Sequence, residues 1–251
     1  MLLLKLGLVP YGEALDLQRR IFTAKSEGRF ADDVLILLQH PPVITLGRQA
    51  SEHDVLASPD ALRQLGVELF NVERGGKATY HGPGQIVGYP ILDLRHFRTD
   101  VSWFVRAEAE VIIRTLADHG FEGRYDKENP GVWVGGAKIA AFGSRLSNWV
   151  TYHGFAFNID PDLRHFDLIV PCGIFDKGVV SLAGLLGRKV AVEDVTPHIV
   201  RHFAAVFETT LEEVGREDVE AQLGPHPTPP QPPVRAPVPE HMSAERDGAE
   251  R

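Results

Sequence analysis

Apolar and polar positions alternate along this chain in short blocks. Leu2 to Val9 is mostly apolar and is closed by Pro10 and Gly12, which predicts a first strand. Over residues 13–27, Ala14, Leu17, Ile21, Phe22 and Ala24 recur near the 3.6 period, predicting an amphipathic helix that ends at Gly28. Val34 to Leu38 and Val43 to Leu46 are short apolar runs bounded by turn residues, hence buried strands. Ser58 followed by Pro59 reads as a helix cap with a first-turn proline, opening a helix to about Leu65. Val67 to Val72 returns as a strand.

The chain then enters Arg74 to Pro90, where Gly75, Gly76, Gly82 and Gly84 crowd a polar segment holding Thr79, Tyr80 and His81. Glycines let a backbone approach a ligand closely and expose N–H groups to oxygens. The segment is expected to be a loop feeding a buried strand from Gln85 onward, either a site floor or an elaborate surface turn. Asp100 caps the longest helical pattern, with Val101, Phe104, Val105, Ile112 and Leu116 on one face and Gly120 as its stop. Residues 131–134, 137–146 and 150–158 predict three strands, turned at Gly135-Gly136 and Ser147-Asn148. Residues 161–171 read as a connector. Ser181 to Leu186 suggests a helical turn, Thr196-Pro197 opens a last long helix carrying Ile199, Val200, Phe203 and Val206 inward, and the acidic 208–220 segment is helical in part. Interleaved helices and antiparallel hairpins argue for an α+β fold around a mixed sheet with flanking helices, not a doubly wound sheet.

Composition narrows the function. The 251 residues are 43% hydrophobic, enough for a sizeable core. A net charge of −8 with no block of Lys or Arg argues against nucleic acid and acidic membrane surfaces as partners. No run approaches the roughly 20 apolar residues of a membrane span. The apolar start is interrupted by Lys5 and reads as a strand, not a signal peptide, so a cytoplasmic protein is expected. Eight prolines lie between Pro225 and Pro239 and large apolar groups are scarce beyond them. Such a segment buries too little to offset its ordering entropy, so 1–224 is expected to be one domain and 225–251 a disordered tail.

Two residues stand out chemically. Cys172, the only cysteine, excludes an internal disulfide and a Cys-based zinc cluster. It lies between Pro171 and Gly173, so its thiol is either displayed at a bend or a small buried hydrophobe. Lys138 sits in Gly-Gly-Ala-Lys-Ile-Ala-Ala-Phe-Gly, where its ammonium is either exposed by strand alternation or paired. Were the two to meet, a cation about 4 Å from the sulfur at an effective dielectric of 20 would contribute up to about 4 kcal/mol. That suffices to draw a thiol of ordinary pKa about 8.5 to near or below 7. No His-Glu-x-x-His, paired Cys-x-x-Cys, Gly-x-Ser-x-Gly or Walker loop is present, and Gly82 to Gly88 misses the dinucleotide spacing. His53, His153 and His165 read individually as structural or surface groups.

Together these segments resemble the lipoyl(octanoyl) transferase family. The carriers are Arg74 to Gln85 (Arg-Gly-Gly, two residues, Thr, aromatic, His, two residues, Gly-Gln), His40 to Gly47, Gly136 to Gly143, His153-Gly-Phe155 and Pro171-Cys-Gly-Ile174. The resemblance covers about residues 1–210. It implies an α+β domain similar to the catalytic domain of biotin and lipoate protein ligases. It implies acyl transfer from octanoyl acyl carrier protein to a lysine of lipoyl domains, those of 2-oxoacid dehydrogenase complexes and the glycine cleavage H protein. Cys172 would carry the acyl group as a thioester and Lys138 would lower the thiol pKa, with no metal, ATP or other cofactor. Arg74, Gly75, Gly76, Lys77, Ala78, Thr79, Tyr80 and His81, with Ala141, Phe142, Gly143, His153, Gly154 and Phe155, would line the acyl site. An acidic carrier needs a basic patch on this acidic chain, for which Arg48, Arg74, Lys77 and Arg145 are the candidates. An ATP-dependent ligase would need no cysteine, and a non-catalytic acyl-binding protein neither group. A thioesterase would use the same pair with water as acceptor.

Overall fold

The computed structural model describes residues 1–170 and 178–224. Strand β1 (Leu2–Leu8) leads to helix α1 (Tyr11–Ser26), β2 (Val34–Gln39) and β3 (Val43–Leu46). Helix α2 (Pro59–Gln64) is capped by Ser58, whose Oγ accepts from Ala61 N at 3.2 Å. Strands β4 (Glu68–Asn71), β5 (Ala78–His81) and β6 (Gln85–Ile91) follow, then α3 (Val101–Asp118). Asp100 caps α3 by accepting from Ser102 N and Trp103 N, and Gly120, at φ +84°, turns the chain away. Val101 begins that helix exposed, outside the apolar face expected to include it.

Strands β7 (Arg124–Asp126), β8 (Gly131–Val134), β9 (Ala137–Phe142), β10 (Arg145–Ser147), β11 (Val150–Tyr152) and β12 (Phe155–Asn158) complete the middle of the chain. Among the described residues the main sheet runs β7-β8-β9-β12-β6-β2-β1, with β13 (Glu212–Glu213) on its far edge. Its β13-β1-β2 end is parallel and the rest antiparallel, the expected mixed sheet. One face packs on α1, the other on α3 and α5 (Val192–Val206), through two separate apolar clusters. Short α4 (Leu182–Leu186) precedes α5, and α6 (Arg216–Leu223) lies against α1. A three-stranded sheet, β4-β3-β5, stands beside the main one.

Four expectations change. Thr79, Tyr80 and His81 are strand, because β5 pairs antiparallel with β3 (Thr45 opposite Thr79); the glycines bracket a strand instead of forming one long loop. The predicted strands 137–146 and 150–158 each break in two. Pro90 on β6 has no N–H for a strand continuing past Phe155, and a Cβ at Gly154 would stand 2.6 Å from its ring. The broken-off halves, β10 and β11, make their own hairpin through Asn148 and Trp149, both at positive φ, one residue later than the predicted turn. Helix α5 begins at Val192, a turn before Thr196-Pro197, so Pro197 lies inside it.

Candidate acyl-transfer site

A row of paired residues crosses the sheet: Val87 on β6, Ala156 on β12, Ala141 on β9 and Gly131 on β8. The side chains shrink towards β8, so the row forms a shallow track. The next row on the same face, Tyr89, Gly154 and Gly143, is also mostly without side chains. These residues, except Gly131, floor a cleft that Arg74, Gly76, Ala78, Thr79 and His81 roof and that Tyr11, Phe142, His153 and Phe155 help to wall.

Lys138 reaches this face through a bulge. Val132 pairs with Ala140 and the adjacent Trp133 with Lys138, so Ile139 is an extra residue on β9. Ile139 and Ala140 both enter the core on the α3 side. Alternation is thereby reset, and Lys138 comes to the face of Ala141 instead of the opposite one. Its stem passes over Gly131, where a Cβ would lie 2.9 Å from Lys138 Cε, and Nζ donates to Pro130 O at 3.3 Å and stands 5.0 Å from the Trp133 ring centroid. The Lys138 backbone bonds Gly178 O and Val180 N. Cys172, with the rest of Pro171–Ile174, lies outside the described residues.

Eleven of the fourteen expected lining residues meet in the cleft. Gly75 and Lys77 instead line a neighbouring groove with Gln49, Tyr125 and Arg145. Tyr80 points away, its hydroxyl 2.9 Å from His165 Nδ1. Arg74 is no part of a carrier-facing patch: its guanidinium is buried, donating to Thr45 O (2.6 Å), Thr45 Oγ1 (2.9 and 3.1 Å) and Gly75 O (2.9 Å). Arg48 is exposed, and Lys77 and Arg145 are partly so.

The cleft imidazoles are held neutral. His81 stacks on Tyr11 and donates from Nδ1 to Gln85 Oε1 at 2.7 Å. Burial, then the nearby His40, pushes its pKa down to about 3. His40, behind it, donates from Nδ1 to Val9 O and accepts from the Tyr89 hydroxyl, both at 2.7 Å, and burial pushes it to about 4. His153, at φ +56° and 1% exposed, also has a lowered pKa from burial. Its backbone N–H donates to Gln18 Oε1 at 3.0 Å. Neither of its ring nitrogens has a hydrogen-bond partner, and the same holds for Gln18 Nε2 and Glu73 Oε2. Nε2 and Glu73 Oε2 are 3.9 Å apart, an ion-pair distance and too long for a hydrogen bond. His153 and then Arg19 nevertheless hold the Glu73 carboxyl down at about 2 against burial.

Tyr11, Val87, Tyr89 and Ala156 line the cleft and Gln18, Glu73 and Gly131 stand beside it, all seven outside the set expected from sequence. Glu73 immediately precedes the Arg-Gly-Gly run. Tyr11 and Gln18 are seven residues apart, one helix face, but only the tertiary packing reveals what that face meets.

A mixed sheet of this topology, here carrying the cleft, is the fold of the lipoate protein ligases. Residues 10–204 match the family model of the lipoyl protein ligase A/B catalytic domain. The chain is 47% identical over 217 residues to an octanoyltransferase of Caldicellulosiruptor saccharolyticus, covering 86% of this chain and 92% of that one. It is 49% identical over 206 residues to an octanoyltransferase of Gloeobacter violaceus, covering 82% and 90%. Among solved structures, lipoate-protein ligase A bound with ATP superposes with a TM-score of 0.71 at 17% identity, covering 88% of this chain and 92% of that one. A bipartite lipoate protein ligase of Thermoplasma acidophilum, studied with its E2 lipoyl domain, gives 0.71 at 18%, covering 88% and 89%. The chain belongs to the lipoyl(octanoyl) transferase family and is an acyltransferase. No described helix is long and apolar enough to cross a membrane.

Proposed function

We propose that the protein transfers an octanoyl or lipoyl group from acyl carrier protein to a lysine of lipoyl domains and of the glycine cleavage H protein, through a thioester on Cys172. The observation that carries this reading is the β9 bulge, which brings the Lys138 stem over Gly131 at the open end of the small-residue track. Chain flanking Cys172 supports it: Gly178, six residues on, bonds the Lys138 backbone. The Lys138 ammonium favours the Cys172 thiolate. That thiolate attacks the donor thioester carbonyl; a carbon–sulfur bond forms, the donor's bond breaks, and the departing thiolate takes a proton from Lys138. Neutral Lys138 then accepts a proton from the incoming amine, whose nitrogen displaces Cys172. Thioester and amine become amide and thiol, so no ATP is consumed. Residues 1–224 serve as the catalytic unit, and Arg48, Lys77 and Arg145 as the carrier-facing cations.

The test is intact mass after incubation with octanoyl carrier protein. One octanoyl increment, removed by hydroxylamine, passed to an added lipoyl domain and absent in Cys172→Ser, is expected. A full adduct on the serine variant through another residue would refute the thioester route.

A further inference from the structure

The cleft has two unlike ends. At β8 the track opens beside Lys138 on Gly131. At the β6 end it meets Val87 and Tyr89, with α1 behind them and His153 in the wall. From Gly131 to the β6 residues is three strand spacings, about 14 Å. An extended octanoyl thioester starting near Lys138 fills such a span, and a dodecanoyl chain overruns it.

Behind that far end lies a concentration of unpartnered buried polarity. Gln18 is 0% exposed and His153 1%, yet Gln18 Nε2, both His153 ring nitrogens and Glu73 Oε2 lack hydrogen-bond partners. His153 Nε2 and Glu73 Oε2 face each other at the ion-pair distance of 3.9 Å, and the Glu73 side chain is 36% exposed. Tyr152 stacks on the His153 ring at 4.6 Å, Arg19 pairs with Glu73, and Tyr11, Arg74 and His81 complete the surroundings, their own polar groups directed to other partners where Arg74 and His81 are concerned. Donors and acceptors set together in this way are satisfied by a small hydrogen-bonding molecule such as water. A methylene pushed among them displaces that molecule and returns no hydrogen bond.

We propose that Gln18, Glu73 and His153 form the chain-length stop of the acyl cleft, accepting an apolar chain up to their edge and rejecting its extension. This rests on the reading that the thioester end of the acyl group lies at Lys138. Val87 and Tyr89 also narrow this end, so variants that change only the polarity and leave those two side chains in place read its share of the discrimination. Removing the polarity with side chains of similar length therefore moves the preference towards longer chains.

The experiment measures kcat/KM with octanoyl, decanoyl and dodecanoyl carrier protein for the parent, Glu73→Met, Gln18→Met and Gln18→Glu, with circular dichroism melting to establish folding. Glu73→Met supplies the test if Gln18→Met, which also loses the acceptor for His153 N–H, fails to fold. The decanoyl-to-octanoyl ratio should rise by about tenfold or more in the Met variants, the scale of one or two methylenes in a pocket. Gln18→Glu keeps a polar end and should retain the parent ratio. A parent enzyme that transfers octanoyl, with folded Met variants whose ratio is unmoved, overturns the stop alone. A parent that transfers none of the three chains overturns the underlying acyl-transfer reading as well.

Discussion

Lys138 and Gly131 interlock across β8 and β9: a methyl at position 131 would stand 2.9 Å from Lys138 Cε, 3.1 Å from Cδ and 2.7 Å from Ala140 O. The side-chain contacts can be relieved by moving the lysine; the carbonyl contact cannot without moving the strand. Gly131→Ala should therefore lower octanoyl transfer by at least about tenfold and lower Tm by a few degrees, about the effect of 1 kcal/mol in a domain this size. Equal transfer rates for Gly131→Ala and parent would show that the lysine's path over Gly131 is immaterial.

The electrostatic role of Lys138 is separable from its proton-transfer role. Lys138→Ala should slow alkylation of Cys172 at neutral pH, with reactivity recovering as pH passes about 8.5, the ordinary thiol value. Lys138→Arg keeps a charge but has no accessible neutral form. It should restore alkylation in part and leave acyl transfer poor. A thiol pKa identical in Lys138→Ala and parent would mean the two groups do not interact.

Most strands and helices were legible because burial periodicity is local: β2, β3, α2 and α3 were expected within a residue or two of where they lie. The breaks after Phe142 and Tyr152 were not legible, since they depend on Pro90 and the Arg74–Gly75 segment meeting them from elsewhere, as when Gly75 N donates to Ser144 O at 3.3 Å. The bulge at Ile139 was equally hidden, because two adjacent apolar residues read the same whether they alternate or share a face. The cleft was legible where motif residues are contiguous. Tyr11, Gln18 and Tyr89 join it only through packing of α1 on the sheet. Glu108 had a readable signal: it lies four residues from both Phe104 and Ile112, on the buried stripe.

The proline-rich segment 225–251 lies outside the described residues, and the family match ends at residue 204. Its deletion should leave Tm and turnover nearly unchanged. A large loss in either would mean that the tail contributes to the catalytic unit.

Glu108 is a stability liability at neutral pH. It is fully buried, with Ser144 Oγ donating to it at 3.2 Å, and burial raises its pKa to about 8. The unfolded carboxyl ionises at its ordinary value of 4.5, so stability is complete below that pH and falls as pH rises towards about 8. The loss is about 1.4 kcal/mol per pH unit across that window. Glu108→Gln, which keeps the shape and a partner for Ser144, should raise Tm at pH 8 and make little difference near pH 4.5. A Tm gain that does not depend on pH would assign the effect to packing.

Removing Glu108 also exposes an opposite dependence from the histidines. His40 and His81 are buried and neutral, with pKa values pushed down to about 4 and about 3 from 6.5. A depressed histidine contributes stability that is complete above 6.5 and is lost as pH falls towards the folded value, about 1.4 kcal/mol per unit for each group. His153, also lowered, adds in the same direction. Between pH 6.5 and 4.5 the gain from Glu108 offsets only one histidine's share of these losses, so the parent's Tm should still decline. Glu108→Gln removes the gain, and its Tm should fall more steeply over the same window. Adding His40→Gln, whose amide can still donate to Val9 O and accept from Tyr89, should remove one histidine's share of that slope even if it costs stability at pH 8. Parallel Tm–pH curves for the single and double variants between pH 6.5 and 4.5 would show that His40 protonation does not drive acid unfolding.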